Sequence, residues 1–158
     1  MKTKHASFRT FIILVFADAN FSIKCGGAEM RGNDGLLYEA ENSSLGPAAF
    51  YVTSTEKWAV SNVGMFHDRK APSYVQITYG QATGTSTPEL FQSARMSPGS
   101  LRYYGLGLEN GPYIVTLQFS ETGFDDRNSQ GWKSLGRRVF DIYIQVITAL
   151  LSNFLRVF

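Results

Sequence analysis

The sequence predicts an all-β domain of the sandwich or barrel kind. Three observations carry that prediction. Short alternating or aromatic runs recur every ten to fifteen residues or so, turn residues stand between them, and side-chain character switches with a period of two. The runs are LLYEA (36–40), AFYVTS (49–54), KWAVSNV (57–63), SYVQITYG (73–80), ELFQSARM (89–96), LRYYGLGL (101–108), YIVTLQFSE (113–121) and RVFDIYIQV (138–146). Between them lie Gly46-Pro47, Ala71-Pro72, Gly84 to Pro88, Ser97-Pro98-Gly99 and Asn110-Gly111-Pro112.

YIVTLQFSE is the plainest strand. Successive side chains on a strand point to opposite faces, so Tyr113, Val115, Leu117 and Phe119 share one face, and Ile114, Thr116, Gln118 and Ser120 the other. In VFDIYIQV the better core face is Phe140, Ile142, Ile144 and Val146. The stretch 25–35, with four glycines and an Asn-Asp-Gly turn, reads as loop. Asn110-Gly111-Pro112 reads as the turn of a hairpin joining 101–108 to 113–119. Beyond Gln145 the period changes. Ile147, Leu150, Leu151, Phe154, Leu155 and Phe158 fall on one helical stripe, which predicts a short amphipathic helix within an apolar tail, 146–158.

The N-terminus places Lys2, Lys4 and Arg9 before the apolar run FIILVF (11–16) and then Ala17-Asp18-Ala19. That order fits a secretory signal, with a run shorter than the usual ~7–15 residues, or equally a non-native leader over 1–19. Asn20 and Asn42 each open an Asn-x-Ser triplet, the acceptor pattern for N-glycosylation.

Composition narrows the function. The 158 residues carry a net charge of +2, with basic residues scattered, so no nucleic-acid partner is indicated. One cysteine, Cys25, cannot form an internal disulfide. His5 and His67 stand in no nucleophile motif, and the sequence has no kinase glycine-rich loop with its lysine strand, no His-Arg-Asp and no Asp-Phe-Gly. An enzyme is therefore not expected. His67-Asp68 is two ligands without a third. Glu121 with Asp125-Asp126 lacks a calcium-loop motif, so neither a metal nor another cofactor is called for. Gly105-x-Gly107-x-x-x-Gly111 is mis-spaced for a dinucleotide loop and is followed by a strand. Aromatic residues make up 14% of the chain. Among them Tyr103 and Tyr104 are candidates for stacking on the C–H face of a sugar ring, although adjacent strand residues cannot both face one groove.

Four blocks, IKCGG (23–27), ELFQSAR (89–95), LRYYGLGLENGPYIVTLQFSE (101–121) and GRRVFDIYIQ (136–145), together with KWAVSNVG (57–64), resemble the malectin domain. The closest likeness is to the version carried by plant leucine-rich-repeat receptor-like kinases. The resemblance runs over about 22–145, within a domain drawn at 20–145. It implies a jelly-roll-type β-sandwich, incomplete at its C-terminus, that faces outward from the cell or is secreted. It also implies carbohydrate-binding ancestry, with cell-wall glycan or a receptor ectodomain as partner. In the animal branch of the family the sugar contacts are several aromatics and a late aspartate. Here Val63, Met96 and Gly123 stand where that branch has tyrosines, and Phe124 is the aromatic carried over. The aspartate falls in a segment that relatives place after Gln145.

Overall fold

The computed structural model describes residues 8–10, 21–41, 44–66, 74–79, 82, 84–110, 113–119, 140–144 and 147–148. The strands in chain order are β1 (Phe8–Thr10), β2 (Ser22–Lys24), β3 (Met30–Arg31), β4 (Leu37–Ala40), β5 (Ala48–Val52), β6 (Trp58–Val63), β7 (Val75–Ile77), β8 (Ser93–Ser97), β9 (Ser100–Gly105), β10 (Tyr143–Ile144) and β11 (Ile147–Thr148). One 3-10 turn, Pro88–Gln92, precedes β8. The all-β expectation holds.

The strands form small sheets ordered β1-β8-β7, β2-β4-β3, β5-β6-β9 and β10-β11. All pairings are antiparallel except β2 with β4, which runs parallel from Ser22↔Tyr38 to Lys24↔Ala40. The sheet around β6 is the most regular. Trp58 and Val60 point inward and are fully buried, while Ser61 and Val63 reach the outer face. Period-two alternation thus yields a dry inner face, while on the outer face Ala59 is covered and Ser61 and Val63 reach solvent. Burying Trp58 and Val60 contributes roughly 1.5–3 kcal/mol each.

Two apolar clusters fill the interior. The larger joins Phe21, Ile23 and Cys25, from one face of β2 and its flanks, to Leu45, Trp58, Val60 and Tyr74, with Tyr113, Val115 and Leu117 packed against them. The smaller joins Tyr38 of β4 to Leu90, Phe91 and Ala94.

Several sequence expectations need correction. Residues 113–118 bury the expected face but form no ladder with a described strand; only Phe119 makes a bridge. Burial alternation follows from side chains alone, whereas pairing needs a neighbouring backbone in register. ELFQ is a 3-10 turn rather than strand, because Pro88 opens it and both Leu90 and Phe91 are buried, which a strand would send to opposite faces. The glycine-rich loop contains the short strand β3. The helical tail fails where it can be seen: Ile147–Thr148 folds back on Tyr143–Ile144 as an antiparallel pair. The rest of that tail, 146 and 149–158, lies outside the described residues. Within the leader, Phe8–Thr10 pairs with Ser97, Met96 and Arg95 of β8. Among the described residues no helix is long and apolar enough to cross a membrane.

Candidate functional site

The outer face of the β5-β6-β9 sheet gathers exposed aromatic surface. Register places Phe50 opposite Ser61 and Ser61 opposite Arg102, with Val52, Ala59 and Tyr104 in the adjacent row. Phe50 is 64% exposed and Tyr104 37%. Their ring centroids lie 5.9 Å apart with planes tilted by 60°. Ser61 Oγ and the Tyr104 hydroxyl are 3.1 Å apart, which holds that ring in place. Arg102 is exposed in the same row as Phe50. The face combines two aromatic rings with a phenol, a hydroxyl and a guanidinium, so it can cover the C–H side of a polar ring and donate hydrogen bonds at its rim.

Tyr103 points the other way. Its ring lies 6.1 Å from Trp58, and its hydroxyl donates to Glu41 Oε2 at 2.8 Å. Burial, then the neighbouring Cys25 thiol and Glu41, hold its pKa well above the ordinary tyrosine value. Of the two tyrosines proposed for stacking, one is on the surface and the other is a core donor. Val63 lies exposed at the end of β6, and Met96 is buried in β8. Phe124, Asn20 and Asn42 lie outside the described residues, as do His67, Asp68 and Glu121.

Glu41 and Arg95 form a charged junction beneath this sheet. Both side chains are fully buried. Arg95 Nε donates to Glu41 Oε1 at 2.6 Å, and Arg95 Nη2 lies 3.3 Å from the Glu41 carbonyl oxygen. The Gly26 amide donates to Glu41 Oε2 at 2.9 Å, beside Tyr103. Burial pushes the Glu41 carboxyl above its ordinary range, while Arg95, Tyr103 and the Gly26 amide pull it back. Gly26 has φ +76°, and a Cβ there would sit 2.7 Å from the Arg95 backbone nitrogen, so this position requires glycine. The junction ties the segment after β2, the residue after β4, β8 and β9 together. Every polar atom of the carboxylate is engaged inside the fold, which makes the junction architectural rather than reactive. Sequence reasoning missed it, because its members are separated by 15, 54 and 62 residues.

Such a chain is a β-sheet module with an aromatic patch on one sheet face and a charged junction buried beneath it. A family model, Malectin domain, matches residues 19–154, and the chain belongs to that family. Two probable LRR receptor-like serine/threonine-protein kinases of Arabidopsis thaliana are each 50% identical over 127 residues, 80% of this chain and 12% of theirs. A third from the same plant is 40% identical over 128 residues, 78% of this chain and 12% of its own. The chain thus spans about 12% of the length of these curated relatives, and the malectin model accounts for most of the chain. No solved structure matches.

Proposed function

We propose that the chain is an extracellular recognition module of a receptor-like kinase ectodomain, and that it binds glycan through the Phe50–Tyr104 face. The observation that carries this reading is the pair of exposed rings 5.9 Å apart on one sheet face. Arg102 and Ser61 stand beside them. Stacking supplies affinity without demanding one sugar, and the rim donors select among hydroxyl patterns. Membership in a family to which receptor-like kinases of similar sequence belong supports a location at or outside the cell surface.

Titration calorimetry with cell-wall oligosaccharides, following a glycan array, tests it. Binding should weaken about fivefold to tenfold in Tyr104→Ala and in Phe50→Ala, the order of ~1 kcal/mol per lost aromatic contact. Binding that ignores both substitutions would remove this face from consideration. A second reading rests on the same face: Val52 and Val63, 41% and 55% exposed, extend the apolar strip beyond a single ring. Under it the partner is another receptor ectodomain. Capture of such an ectodomain by a chain that binds no oligosaccharide would favour that reading.

A further inference from the structure

We propose that the cleft over Gly27 binds a small hydroxylated carboxylate, with Lys24 and Ser93 as its polar contacts. The cleft is an open groove of about 460 Å³ between the end of β2, the edge of β7 and the start of β8. That volume falls within the range of small-molecule sites, ~300–1,000 Å³. Its lining includes Lys24, Gly27, Val75, Ile77, Gln92 and Ser93. Its lining shares no residue with the Phe50–Tyr104 face and includes neither Val63 nor Met96.

Two polar groups in this cleft are poorly served by the fold itself. Ser93 is 9% exposed, and its Oγ has no hydrogen-bond partner among the described residues. A buried hydroxyl left in that state costs ~1–3 kcal/mol. Lys24 is half-buried, and its ammonium donates to the thioether sulfur of Met30 at 3.2 Å, a weak acceptor for a group with three strong donors. Burial lowers the Lys24 pKa, and the negative charge of Glu89 opposes that.

Gly27 brings the two groups together. A Cβ at that position would collide with the Ser93 hydroxyl and lie 2.9 Å from Lys24 Cε. The bare floor therefore lets the lysine stem and the hydroxyl converge. Gln92, exposed at the mouth, adds an amide. Val75 and Ile77 supply an apolar wall suited to C–H groups. Glu41 at the back of the cleft is already matched by Arg95, so Lys24 is the cation that an entering ligand meets. One ammonium matches a monoanion; a phosphate dianion calls for more than one cation. The hydroxyl and amide partners then favour an anion that also carries hydroxyl groups.

The test is an NMR and calorimetric titration of the chain with sodium glucuronate, and in parallel with glucose and with sodium sulfate. Glucuronate should shift the amides of Gly26, Gly27 and Ser93, and glucose should bind at least tenfold more weakly. Lys24→Met should weaken glucuronate binding at least tenfold, and Ser93→Ala about fivefold, in line with charged and neutral hydrogen bonds. Neither variant should lower the melting temperature, because Ser93→Ala removes an unserved hydroxyl and Lys24→Met keeps the apolar stem. Tyr104→Ala should leave glucuronate binding unchanged, which separates this site from the aromatic face. The proposal is overturned by absence of glucuronate binding, by equal binding of glucose, by equal displacement with sulfate, or by wild-type affinity in both cleft variants.

Discussion

Removing the Glu41 carboxylate is the sharpest perturbation available to this fold. In Glu41→Ala the Arg95 Nε, the Tyr103 hydroxyl and the Gly26 amide each lose an acceptor at 2.6, 2.8 and 2.9 Å. The dominant cost is the arginine charge left without its carboxylate in a site with no solvent exposure. Breaking a buried pair from one side costs ~3–5 kcal/mol. A domain of this size has ~5–15 kcal/mol in total, so the variant sits near the edge of folding. Tyr103→Phe removes only one bond to the charged group and should cost ~1.5–3 kcal/mol. The double variant Glu41→Leu with Arg95→Met removes both charges and should recover most of the loss, because well-packed apolar groups replace buried pairs at little cost. Urea unfolding followed by tryptophan fluorescence, from Trp58 and Trp132, measures all of these in one series. Single variants that each cost under ~1 kcal/mol and simply add in the double would refute the reasoning.

Other outcomes follow from the same structure. Tyr38 and Tyr103 are both held above the ordinary phenol pKa of 10.0, chiefly by burial, so the neutral form is the folded form. The stability they contribute is intact below about pH 10 and falls as pH rises beyond it, by up to ~1.4 kcal/mol per pH unit for each group. Ultraviolet titration should therefore show two of the eight tyrosines ionising only as the chain unfolds, and Tyr38→Phe should make the alkaline limb shallower. Gly26→Ala combines φ +76° with a 2.7 Å clash against backbone and should cost roughly 2–4 kcal/mol in the urea series. Gly35→Ala, at φ +79° with nothing within 4 Å, should cost only ~1 kcal/mol. Equal losses at the two glycines would show that the clash beneath Gly26 is absent.

The strands with strict alternation were legible because one side chain in two had to be apolar. Residues 113–119 are the clearest case, and they show the limit of that code as well. Tyr113, Val115 and Leu117 pack inward as their spacing requires, yet spacing says nothing about which backbone lies alongside. ELFQSARM reads as strand because Leu90 and Phe91 look like strand residues, while the brake on extension is Pro88, one position earlier. The alternation of Tyr103 and Tyr104 was readable, but which of them faces water depends on Glu41, sixty-two residues away. Phe50 escaped notice within AFYVTS because its partnership with Tyr104 exists only through the register of β5 and β9 on β6. IKCGG, ELFQSAR and LRYYG, three blocks that carried the family likeness, each supply one member of the buried charged junction: Gly26, Arg95 and Tyr103. In this chain the recognisable text encodes how the layers are held together more than what they hold.

That junction also bears on the order of assembly. Glu41 and Arg95 are distant in the chain, and neither charge can be taken out of water without the other. Local hairpins such as β5–β6 can close early, over a short span. The layers can dock only when carboxylate, guanidinium, phenol and the Gly26 amide arrive together. Contacts of such long sequence separation make for slow, all-or-none acquisition of structure, on the millisecond-to-second scale typical of β topologies. Until that moment the strand margins stay open to neighbouring molecules, so the hazard for a nascent chain lies in the interval before Arg95 finds its counter-ion.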